Sequence, residues 1–230
     1  MNKIIVIEGT DCSGKETQSK LLIEKLNKDG INTGYVTFPN YDSPTGKIIA
    51  GPYLGRQDKD EFGNKLFYDP IFKEGSSNVD TKVSCLYFAA DRLYNINSIK
   101  KELKEKNLVF NRYTYSNMAH QGCKKINKEE RNKIYEWIDK LEFDLLELPK
   151  PDIKIFLHMP YLQECELKKK RKFLDQNELD EDYLINSEKA YLEVAQKYSF
   201  KTIECVNNGN IRTIDDINNE IYQYVKSKIK

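Results

Sequence analysis

The sequence predicts an α/β fold in which a parallel sheet is covered by helices on both faces. Three observations carry this. Short apolar runs rich in β-branched residues recur along the chain, segments with helical spacing separate them, and the first run leads straight into a glycine loop and a helix.

In chain order, Ile4-Ile5-Val6-Ile7 reads as a strand buried on both faces. After the glycine loop, Leu22, Ile23 and Leu26 mark a helix stopped by Gly30, and Tyr35-Val36-Thr37-Phe38 is the second strand. Residues 51–80, rich in Gly, Pro and charge, read as an inserted loop long enough to be functional. Val83, Leu86, Ala90 and Leu93 give the apolar stripe of a long helix running to about Lys106, and Leu108-Val109-Phe110 is the third strand. Ile134, Ile138, Leu141 and Leu145 step by three or four and predict another helix. Ile153 to Leu157 and Thr202-Ile203 complete the strands. The last helix carries Ile214, Ile217, Ile221 and Val225 as its stripe and Thr213 as N-cap. Asp215 and Asp216 lie in its first turn and Lys226 and Lys228 in its last, as the helix dipole favours.

The 230 residues carry 37 basic and 36 acidic side chains, and a net charge of +1 excludes a chain that holds a nucleic-acid polymer by bulk charge. Aromatic residues at 11% argue against disorder. The longest apolar run, Leu86 to Ala90, is far short of the roughly 20 residues a membrane span needs. No secretory signal is visible, so the cytosol is the expected compartment. The cysteines, Cys12, Cys85, Cys123, Cys165 and Cys205, are too far apart for a zinc site and read as reduced thiols. With no internal repeat and no linker, one domain over 1–230 is expected.

Gly9-Thr10-Asp11-Cys12-Ser13-Gly14-Lys15 carries the chemistry. Its glycines let the backbone curl around a phosphate with N–H groups inward, Lys15 supplies a cation to the outer phosphates, and the helix that follows adds its positive end. A nucleotide is therefore expected on Gly9 to Lys15 together with Glu16 and Thr17. One position departs from the pattern: Glu16 stands where a Ser or Thr hydroxyl would ligate Mg²⁺, with Thr17 one place later.

With this loop placed, Ile7 to Lys15, Phe38-Pro39-Asn40-Tyr41, Phe88-Ala89-Ala90-Asp91-Arg92, Asn111-Arg112-Tyr113 and Ser116-Asn117 together resemble the thymidylate kinases, from about Lys3 to Ala195. The resemblance implies a P-loop nucleoside monophosphate kinase fold with a five-stranded parallel sheet. It implies ATP with Mg²⁺ as phosphoryl donor, deoxythymidine monophosphate (dTMP) as acceptor, and a homodimer. By the same resemblance Asp11 contacts the sugar 3′-hydroxyl, and Phe88 stacks on the base with Arg92 and Asn117 at its edge. Arg112 clamps the acceptor phosphate with Tyr41, and Phe38 and Gln121 join the substrate residues. The basic start of 168–182 becomes a lid whose Arg171 is the expected catalytic residue, with Lys168 and Lys169 beside it, and Glu178 sits where the family often has an acid. Lys15 and Arg112 are the other catalytic expectations.

Two departures suggest a swap. The family usually has Asp where Asn111 stands, and Glu16 supplies an acid after the lysine, so Glu16 is expected to help hold Mg²⁺, directly or through water. His120 replaces an aromatic residue common in relatives and faces either the sugar or the core. The departures leave two other readings open: a kinase for another pyrimidine monophosphate or a deoxynucleoside, and a nucleotide-binding module without catalysis.

Overall fold

The computed structural model describes residues 1–168 and 181–229. Strands β1 (Ile4–Gly9), β2 (Thr33–Thr37), β3 (Asn107–Asn111), β4 (Ile153–His158) and β5 (Lys201–Glu204) form one sheet in the order β2-β3-β1-β4-β5. Every pairing within it is parallel. The central strand β1 is buried along its whole length, as its apolar run Ile4 to Ile7 requires, with Glu8 buried at its end.

Successive side chains of a strand point to opposite faces, and each face has its own core. Ile5, Ile7, Val109, Ile155 and Leu157 meet Leu22 and Leu26 of α1 (Lys15–Lys28) and Ile217, Ile221 and Val225 of α8 (Ile214–Ile229). Ile4, Val6, Leu108 and Phe110 meet α3 (Thr81–Glu102), α4 (Thr114–Gly122) and α5 (Lys128–Asp139) through Cys85, Ile96, Met118, Tyr135 and Ile138. Each fully buried Leu or Ile contributes about 1.5–3 kcal/mol. Helix α6 (Tyr161–Lys168) follows β4, and α7 (Glu181–Lys197) packs Ala190, Tyr191 and Ala195 against Ala119 and Cys123 of the α4 region.

Three expectations change. The stripe of Val83, Leu86, Ala90 and Leu93 faces outward, with Leu86 51% exposed. The inner face of α3 is instead made of Ser84, Cys85, Ala89 and Arg92, followed by Ile96 and Ile99; its first half is small or polar and gives little hydrophobic spacing to detect. This helix also ends at Glu102, capped at its start by Asp80, whose carboxylate accepts from the amides of Lys82 and Val83. After α5 the chain continues into a π-helical turn, Lys140–Leu145. The wider turn shifts the phase, so Leu145 is 67% exposed while Glu142 and Phe143 turn inward. Finally, a hairpin of β6 (Val206–Asn207) and β7 (Asn210–Ile211) follows β5. Its turn is Asn208-Gly209, both at positive φ, a pair that favours a two-residue hairpin turn.

The inserted stretch starts inside secondary structure. Helix α2 (Pro44–Ile48) runs into a π-helical turn, Ile49–Tyr53, whose Tyr53 is buried against Phe72, Tyr87 and Phe88. Among the described residues no helix is long and apolar enough to cross a membrane.

Candidate active site

The carboxyl edge of the sheet holds the site, as open parallel sheets dictate. Gly9 ends β1 beside Leu157 of β4, and the loop after it is tight. A Cβ on Gly9 would lie 2.5 Å from Ser13 Oγ and 2.7 Å from the Leu157 carbonyl, so only glycine fits. Cys12 and Gly14 take positive φ, which turns the loop into the first turn of α1. Thr10 fastens the loop to β4 by donating from its hydroxyl to the Met159 carbonyl (2.7 Å) and accepting from the Met159 amide (2.9 Å). Lys15 is buried and folds back on the loop, donating from Nζ to the carbonyls of Thr10 (2.7 Å) and Gly9 (3.1 Å). Burial and the nearby Arg112 cation depress its ammonium pKa to about 7 against the pull of Asp11.

Glu16, the residue expected to help hold Mg²⁺, lies in the first turn of α1 with its carboxylate 63% exposed and paired to Lys20 at 2.5 Å. Asn111 at the end of β3 donates to the Tyr35 hydroxyl (3.0 Å), and its Oδ1 is buried without a hydrogen-bond partner. Among the described residues no group of three or more His, Cys, Asp or Glu could hold a metal by itself. A cation here would arrive with phosphates, and the oxygens of Glu16 and exposed Thr17 are of the hard kind that suits Mg²⁺.

Arg112 leaves β3 with φ at 66°, an uncommon conformation for a bulky residue. Its Nη2 donates to Asp11 Oδ1 at 3.1 Å, and its Nη1 faces Tyr191 Oη at 3.0 Å and both Ser116 Oγ and His120 Nε2 at 3.3 Å. Burial alone would raise the Asp11 pKa, but Arg112 and Lys15 hold it well below the usual carboxylate range. Glu8 beneath them accepts from the amides of Tyr113 and Ser116 and from the Ser116 hydroxyl, so a strand carboxylate caps α4. Lys168 at the end of α6 is buried, pairs with Glu164 at 2.6 Å and lies 3.8 Å from Asp11. Burial raises the Glu164 pKa to about 7.

The far end of the site is organised by Glu142, the acid the π-helical turn brought inward. Arg92 donates to it from Nε (2.5 Å) and Nη2 (2.6 Å), Thr114 from Oγ1 (2.7 Å) and Asn117 from Nδ2 (3.2 Å). The Asn117 amide is thereby oriented, and its Oδ1 is left buried without a hydrogen-bond partner. Gln121 Oε1 is likewise buried and unpartnered. Phe88 is half-buried, with Tyr53 edge-on to its ring at 5.7 Å.

One cavity is lined by Asp11, Phe38, Tyr41, Phe88, Arg92, Arg112, Asn117 and Gln121, all of the residues expected at the acceptor. Phe38 is largely core, 3% exposed, with its ring against Phe110 and Tyr113. Tyr53, Ser76, Lys124 and Tyr183 also line the cavity and were not anticipated; Tyr53 and Ser76 come from the inserted stretch. His120 lines the cavity as well. Arg171, Lys169 and Glu178 lie outside the described residues.

A sequence profile of the thymidylate kinases matches residues 7–216. The chain belongs to the thymidylate kinase family. It is similar to the probable thymidylate kinase of Methanocaldococcus jannaschii, 30% identical over 98% of this chain and 97% of that one. The probable thymidylate kinase of Methanococcus maripaludis strain S2 is 32% identical over the whole of this chain and 98% of its own. The thymidylate kinase of Plasmodium falciparum is 29% identical over 99% of this chain. Among solved structures, the thymidylate kinase of Candida albicans superimposes with a TM-score of 0.70 at 22% identity, over 98% of this chain and 92% of that one, which shows a shared fold. The chain is accordingly a phosphotransferase with a P-loop kinase fold.

Proposed function

We propose that this enzyme moves the γ-phosphoryl group of ATP onto dTMP, giving dTDP and ADP, with Asp11, Phe88, Arg92, Arg112 and Asn117 as its acceptor residues. One observation carries the reading: the residues that this chemistry requires, scattered from Asp11 to Gln121, line a single cavity next to the phosphate loop. Thymine is flat and apolar with one N–H donor between two carbonyls. Phe88 supplies a face, Arg92 a donor, and Asn117 Oδ1 an unused acceptor.

In the transfer, an oxygen of the acceptor phosphate attacks the γ-phosphorus, a new P–O–P bond forms, and the bond to the ADP oxygen breaks. The nucleophile is already ionised, so positioning and positive charge do the work. Arg112 holds the acceptor phosphate with the N–H groups that Asp11 and Tyr191 leave open, helped by the Tyr41 hydroxyl. Lys15 exchanges its two carbonyl partners for phosphate oxygens on the donor. Lys168 and Arg171 bring charge to the migrating group, and Arg171 can fork onto two oxygens at once.

Mg²⁺ neutralises charge on the ATP phosphates when bound. Glu16 would help hold it, directly or through water, by releasing Lys20. The enzyme works in the cytosol as a homodimer, and the outward stripe of Leu86, Leu93 and Tyr94 on α3 is the surface a second copy covers. A monomeric mass in solution would refute that pairing.

The test is ADP release with ATP and Mg²⁺ against dTMP, deoxyuridine, uridine and cytidine monophosphates and free thymidine. Highest kcat/KM with dTMP supports the reading. Preference for another acceptor, or none turned over, overturns it.

A further inference from the structure

We propose that His120 is a positioning residue for Arg112: Tyr183 holds it in one neutral tautomer, and its Nε2 lone pair steers the guanidinium. The inference rests on reading Arg112 as the clamp on the acceptor phosphate. A guanidinium has only donors. His120 Nε2 has two neighbours, Arg112 Nη1 at 3.3 Å and the Tyr191 hydroxyl at 3.2 Å; the first can only donate and the second is able to, so we assign Nε2 as the acceptor of both, which places the ring proton on Nδ1. The Tyr183 hydroxyl sits 2.9 Å from Nδ1 and receives that proton's hydrogen bond. The two rings lie parallel, 6° apart in plane with centroids 6.1 Å apart, so packing and hydrogen bond agree on one orientation.

Protonating Nε2 would set a second cation against the guanidinium inside a buried site. Burial and Arg112, with Lys15 and Lys124, hold the imidazole pKa down to about 3, while Asp11 pulls the other way. Tyr183 and Tyr191, whose own pKa values burial raises, face the ring as neutral phenols. His120 and Tyr191 occupy the Nη1 edge of Arg112 and Asp11 occupies Nη2, which fixes the plane of the guanidinium and aims its remaining N–H groups. Tyr183 belongs to the first turn of α7, directly after the charged 168–182 stretch. The hydroxyl therefore ties the aim of Arg112 to the first turn of α7.

The chain has two histidines, so imidazole ¹⁵N NMR on the nucleotide-free protein reads the tautomer without ambiguity. His120 should carry its proton on Nδ1 and stay unchanged from about pH 8 to about pH 5. His158, hydrogen-bonded to Glu188 and Glu204, should titrate above the ordinary value. Titration of His120 near 6.5, or a proton on Nε2, would overturn the proposal. This reading stands or falls whatever acceptor the enzyme uses. In kinetics, His120→Phe should raise KM for dTMP by about tenfold or more with KM for ATP unchanged. His120→Gln, which can still accept from Arg112 and donate to Tyr183, should restore most of it. An unchanged KM for dTMP in His120→Phe contradicts the proposal.

Discussion

The two ends of the site are built on opposite principles. At the base end, Arg92 is held by Glu142 through Nε and Nη2, and Glu142 also takes bonds from Thr114 and Asn117, so the ion pair and its neighbours have little left to rearrange. At the phosphate end, Lys15 spends its charge on two backbone carbonyls, and Glu16 spends its own on Lys20 in solvent. One end is assembled before any ligand arrives. The other is held by partners that a triphosphate and its cation displace.

The largest expected effect comes from removing the cation at the exchangeable end. Lys15→Ala should lower kcat by on the order of 10²–10³-fold while the thermal midpoint changes little, since the lysine's present partners are only carbonyls. A fall in stability with intact turnover would invert the comparison. At the preformed end the effect falls on the fold as well. Glu142→Gln leaves Arg92 buried without its counter-charge and should cost about 3–5 kcal/mol in denaturant unfolding, with a raised KM for dTMP.

These two residues also show how far sequence reasoning reached. Lys15 was legible because a phosphate loop has a fixed spacing and a fixed place after the first strand. Arg92 was visible only through its motif, and Glu142 not at all, because it enters the site through a π-helical turn that breaks the 3.6-residue period predicting Leu145 inside. Sheet and helix order followed from apolar runs that burial requires. The outward stripe of α3 did not, because the first half of its inner face is Ser84, Cys85, Ala89 and Arg92, which carry little hydrophobic signal beside the larger exposed Leu86 and Leu93. The pairing of His120 with Tyr183 joins residues from two helices by tertiary contact alone, and spacing cannot show that.

A pH series sharpens the comparison further. The Lys15 pKa is about 7 in the nucleotide-free protein and phosphates raise it, so ATP affinity should be full below pH 7 and fall above it. The limiting slope is about tenfold per pH unit, with proton uptake on binding visible by titration calorimetry at alkaline pH. dTMP binding should lack the dependence that Lys15 imposes. The smallest effect concerns Glu16. Lys20→Met should leave stability nearly unchanged, as loss of an exposed pair does, yet lower the Mg²⁺ concentration needed for half-maximal rate by freeing the acid. Glu16→Gln should raise it, and an unchanged Mg²⁺ requirement in both variants would remove Glu16 from the metal site.

The most direct test is calorimetric titration of dTMP into the nucleotide-free protein, without and then with Mg²⁺ and a non-hydrolysable ATP analogue. A preformed acceptor end predicts one site per chain and dissociation constants within about threefold of each other in the two conditions. Binding of dTMP that appears only once the donor nucleotide is present would contradict it.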